Sequence, residues 1–158
     1  MKIIATNPET GAEFQAESKS ITSEFIAMMA NFEMTDEGIK RVIDNLDVSA
    51  DVKSLLYTFS KATIKAGEYV LKVGRKIIDF VCTLFREYRN ASFGLIFGAI
   101  AGILISMVPI IGCVLGSVVT PILILMGMAN GLYEDMKDKQ LERKIAEITS
   151  KFSPLKTA

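Results

Sequence analysis

ASFGLIFGAIAGILISMVPIIGCVLGSVVTPILILMGMANGLY, residues 91–133, contains no charged side chain. With Asn90 in front of it, the uncharged gap between Arg89 and Glu134 is 44 residues. A helix rises about 1.5 Å per residue and a bilayer core is about 30 Å thick. As helix the gap is about 66 Å long, which suits two crossings better than one. MVPIIG, residues 107–112, supplies a break. Pro109 has no N–H to continue a helix, and Gly112 tolerates a reversal. The block therefore divides into helices at about 91–108 and about 112–133.

The flanks agree with two crossings. Lys72, Arg75, Lys76, Arg86 and Arg89 precede the block; Lys137, Lys139, Arg143, Lys144 and Lys151 follow it. Equal basic flanks put both ends on the cytoplasmic side, with Arg75, Lys76, Arg86 and Arg89 as membrane-proximal cations. The alternative is a helical bundle in water with an unusually apolar central pair.

Seven of the eleven glycines fall inside the block. Gly94, Gly98, Gly102 and Ser106 repeat every four residues, as do Gly112, Gly116 and Thr120, and then Gly127 and Gly131. Small residues on one helix face let backbones approach closely. These positions are read as packing faces, within the hairpin and between subunits, and Pro109 and Gly112 as its turn.

Charge is segregated along the rest of the chain. Residues 1–51 hold 4 basic and 10 acidic groups, residues 52–89 hold 8 and 3, and residues 134–158 hold 6 and 5. The total is neutral, which gives no footprint for nucleic acid. Residues 1–22 read as a polar leader with a short strand at Lys2–Ala5. The opening MKIIATNPET lacks the apolar run of a signal peptide, so a secreted, disulfide-built protein is not expected. Residues 23–89 read as cytoplasmic amphipathic helices. Phe25–Phe32 form a short one. Thr35 caps a second with Ile39, Val42, Ile43 and Leu46 as its stripe. Ser49 caps a third, about 40 residues long, whose stripe takes in Phe59, Thr63, Ala66, Val70, Val73 and Ile77 up to Tyr88. Gly67 and Gly74 are read as kinks in it. Residues 134–158 form a C-terminal amphipathic helix and tail, with Leu141, Ile145, Ile148 and Phe152 on its apolar side.

No chemistry of an enzyme is legible. The chain has no histidine, no cysteine pair at metal spacing and no phosphate loop. Cys82 and Cys113 read as small apolar residues, and Asp79 as the ion-pair partner of Arg75 one turn away. No cofactor or metal is expected.

The layout resembles the channel-forming domain of the colicins, in which amphipathic helices precede an uncharged helical pair near the C-terminus. Here that covers roughly residues 23–152, with Gly94–Val108 and Gly112–Gly131 as the hairpin. It is also similar in type to small two-span membrane proteins of bacterial anti-phage systems, including CRISPR-associated accessory pores. These resemblances imply an all-α protein of the bacterial inner membrane, with both termini cytoplasmic. Its hairpin would homo-oligomerise in the lipid bilayer as a pore, in antiviral defence. The alternative is a non-conducting membrane-anchored adaptor or structural protein that docks a protein partner through its cytoplasmic helices.

Overall fold

The computed structural model describes residues 2–19, 21–30, 35–88, 91–126 and 139–155. Its architecture corrects the all-α expectation: the fold is mixed α/β, with an antiparallel four-stranded sheet ordered β2-β1-β3-β4. The strands are β1 (Lys2–Thr6), β2 (Glu13–Glu17), β3 (Thr63–Ala66) and β4 (Tyr69–Leu71). The helices are α1 (Ser23–Ala30), α2 (Asp36–Asp44), α3 (Ala50–Ser60), α4 (Val73–Glu87), α5 (Phe93–Met107), α6 (Pro109–Leu125) and α7 (Lys139–Ser150), followed by a 3-10 turn at Ser153–Leu155.

The sheet arises where the sequence was read as leader and as helix. Residues 1–22 hold β1 and β2, joined by a turn that Asn7 organises. Its Oδ1 accepts from Glu9 N at 2.8 Å and Thr10 N at 3.2 Å, and Gly11 takes φ +74°. The forty-residue helix is cut by β3 and β4. Between them lies a two-residue loop, Gly67–Glu68, in which Gly67 alone has positive φ, the II′ pattern that suits the twist of a hairpin. Period two governs here: Ile64 and Ala66 are buried, and Lys65 between them is exposed.

One face of the sheet is covered and the other open. Ile3 and Ala5 are fully buried, whereas Lys2, Ile4 and Thr6 point to the other side and are exposed or half-buried. α1 packs on β4, α4 on β3, and α6 on β1 and β2. The caps at Thr35 and Ser49 form as side-chain bonds: Thr35 Oγ1 accepts from Gly38 N at 3.0 Å, and Ser49 Oγ from Val52 N at 3.2 Å.

The described part of the apolar block, residues 91–126, forms the centre of this domain. α5 is surrounded by α4, α6 and α7, which is why it is apolar nearly all round. α6 is amphipathic in a muted way. Ile111, Val114, Leu115, Val118 and Ile122 are buried, while Cys113, Ser117 and Thr120 face outward. Those small polar side chains, with Ser106 on α5, are the solvent stripe hidden in an uncharged block. The break lies at Val108, and Pro109 starts α6 rather than turning the chain.

The transmembrane hairpin and the inner-membrane location are therefore corrected. At 15 and 17 residues, α5 and α6 are about 22 and 26 Å long, short of a bilayer core of about 30 Å. Among the described residues, no helix is long and apolar enough to cross a membrane. The part of the expected second span beyond Met126 lies outside the described residues.

Candidate functional site

Two open cavities of about 300 and 360 Å³ adjoin one another where the α2–α3 connection meets the start of α5 and the end of α6. Asp47, Val48, Ser92 and Phe93 line both, so they form one groove. Ser49, Val52, Gly94, Leu125 and Met126 complete one half; Leu46, Phe85 and Ala91 complete the other.

Local sequence builds each wall. Ser49 and Ser92 end the connections into α3 and α5, and each hydroxyl caps its helix. Ser92 Oγ accepts from Leu95 N at 3.1 Å, matching the Ser49 bond. Phe93 follows the cap and is buried, its ring 5.8 Å from Phe85 and 6.1 Å from Phe97. The outer wall is the end of α6, where Ile124 is 59% and Leu125 50% exposed. Among the described residues Asp47 is the one ionisable side chain lining either cavity. Both hydroxyls accept from helix N–H groups.

The glycine positions separate. Gly94 is buried and lines the groove, Gly98 is buried within α5, and Gly102 is half-buried. Ser106 and Pro109 are exposed. A Cβ on Gly112 would sit 3.1 Å from Ile105 O, so Gly112 permits close approach of α5 and α6. A Cβ on Gly116 would meet nothing within 4 Å. Thr120 is exposed and its hydroxyl donates to Gly116 O at 3.2 Å. Gly127, Gly131 and Arg89 lie outside the described residues.

This difference predicts opposite signs. Gly116→Ala should stabilise by up to about 1 kcal/mol through helix propensity. Gly112→Ala gains the same term but crowds a carbonyl, for a net loss of about 1 kcal/mol. Paired denaturation curves check this; equal shifts would remove Gly112 as a packing contact.

The described basic residues differ in setting. Arg75 is buried at the start of α4, and its Nη2 pairs with Asp36 Oδ1 at the N-terminus of α2, not with Asp79 as expected. Lys76 Nζ lies 5.2 Å from the centre of the Phe80 ring. Arg86 is exposed, and its Nε donates to Cys82 O at 3.3 Å. Cys82 is buried, and burial pushes its thiol up to about 11, which makes it a poor nucleophile. Cys113 is exposed, against the expectation of an apolar setting. Among the described residues no cluster of histidine, cysteine or acidic side chains could hold a metal ion.

Asp47, Leu125 and Met126 carried no signal in the sequence. Ser92 had the pattern of a cap before an apolar run, but it fell inside a block read as a span. No protein-family model, curated protein or solved structure matches the chain. The resemblance in layout to colicin channel domains thus has no match beside it.

Proposed function

We propose that the protein is a non-catalytic docking module that takes an amphipathic helix of a partner protein in the groove between Asp47 and Leu125. The observation that supports this most directly is the exposure of Ile124 and Leu125 beside open cavities floored by Val48 and Phe93. Adjacent large apolar side chains in water beside a concavity mark a surface that gains by being covered.

The chemistry of the occupant follows from the rim. Among the described residues no lysine or arginine lines either cavity, and the one charged lining residue is Asp47. Asp44 ends α2 and Asp51 lies in the first turn of α3, so acids bracket the connection. A partner helix with apolar anchors and a flanking lysine or arginine complements this surface. The reading retains the adaptor role inferred from the sequence and drops the membrane anchor.

A photo-reactive residue placed at 125 tests it. Crosslinking in cells of the source organism should capture a partner from position 125 and not from the exposed control Lys144. With that partner purified, Leu125→Ser should weaken binding about tenfold or more, the loss of one buried apolar side chain. Capture of the chain by itself alone, or equal capture from both positions, would reject the reading.

A further inference from the structure

A second surface, independent of the groove, lies at the edge of the sheet. β2 is an outer strand, and among the described residues its one strand neighbour is β1. All five residues pair in register, from Lys2↔Glu17 to Thr6↔Glu13. Glu13, Phe14, Gln15 and Glu17 are nevertheless exposed, and Ala16 is half-buried. An open concavity of about 330 Å³ adjoins the strand, lined by Lys2, Gln15, Ala16 and Glu17. An outer strand with its side chains in water offers backbone N–H and C=O groups to an added strand.

Charge decides which strand fits. Glu13, Gln15 and Glu17 share the open face of the sheet; Phe14 and Ala16 share the other. Antiparallel pairing of two β2 strands about Gln15 would set Glu13 of each copy against Glu17 of the other. Like charges directly opposite are destabilising, so the edge rejects its own copy. The same two carboxylates, four residues apart, favour a strand with cations at that spacing, Glu13 more strongly than Glu17, which already has Lys2 of β1 directly opposite.

We infer that β2 accepts an extended segment of a partner protein as an antiparallel fifth strand. Its pattern is basic, apolar, polar, apolar, basic. The first cation faces Glu17 and the last faces Glu13, while the apolar residues meet Ala16 and Phe14. Main-chain bonds supply attraction, and the carboxylates set register and sign.

The test uses the full chain with a capped peptide of core KVTIK and its acidic counterpart EVTIE. KVTIK should slow amide exchange at Glu13–Glu17 and bind about tenfold tighter than EVTIE at low salt. Glu13→Lys with Glu17→Lys should reverse the preference, and Glu13→Gln with Glu17→Gln should abolish it. Equal binding of both peptides would overturn the proposal. So would a preference unchanged in the two variants, since the site would then lie elsewhere. Protection of residues 13–17 that grows with protein concentration and no peptide would assign the edge to a second copy, and overturns it too.

Discussion

Gly74→Ala should lose about 3 kcal/mol or more of stability, although alanine is the better helix former. Gly74 is the second residue of α4, where that helix crosses the end of α3. Its N–H donates to Ala62 O at 3.1 Å. A methyl group there would overlap the Phe59 carbonyl oxygen and lie 3.0 Å from Ser60 C and 3.1 Å from Phe59 C. These obstacles are backbone atoms of a neighbouring helix, so no side-chain rotation relieves them. Propensity favours alanine by about 1 kcal/mol, and forced separation of α3 and α4 outweighs it. For a chain of this size the loss corresponds to a fall in Tm of about 6–12 °C. Thermal melts of Gly74→Ala beside Gly116→Ala decide it. A Gly74→Ala melt within a degree or two of the parent would mean that α3 and α4 do not meet here.

Gly74 also shows how far the sequence could be read. Its place in a three-and-four spacing made it a kink in a long helix. That spacing, through Thr63, Ala66, Val70 and Val73, takes in the buried Ala66 but passes over Ile64 and Leu71, the other two buried residues of β3 and β4. A two-residue loop with one glycine is a small signal against twenty residues of helical pattern. Caps fared better because their chemistry is local: Thr35 and Ser49 each bond the N–H three residues on. The uncharged block was ambiguous in principle. A helix apolar all round is as suited to a lipid bilayer as to a place among α4, α6 and α7. Only the stripe of Ser106, Cys113, Ser117 and Thr120 distinguished them, and none of these carries a charge. The groove was illegible because its walls come from three separate stretches of chain, brought together by packing that periodicity does not specify.

Phe97→Ala should cost about 3–5 kcal/mol, a large share of the roughly 5–15 kcal/mol that holds a domain folded. Phe97 is fully buried on α5. Its ring meets Phe59 of α3 edge-on at 5.3 Å and stacks with Phe93 at 6.1 Å. Phe93 in turn meets Phe85 of α4 at 5.8 Å. This aromatic chain ties the central helix to α3 and α4 and supports the floor of the groove. Truncation removes both ring contacts and leaves a cavity that three helices cannot readily close. Phe97→Leu keeps apolar volume and should cost less than about 1.5 kcal/mol. Ile124→Ala, at a position 59% exposed, should be nearly neutral. Denaturant unfolding of the three variants measures the ranking. A phenylalanine facing lipid would be replaced by alanine or leucine at similar, small cost, because its neighbours are fluid. An alanine variant within about 1 kcal/mol of the parent would thus remove α5 from the centre of the core. A loss confined to Phe97→Ala places the uncharged block inside the domain, where it positions Phe93 beneath the groove.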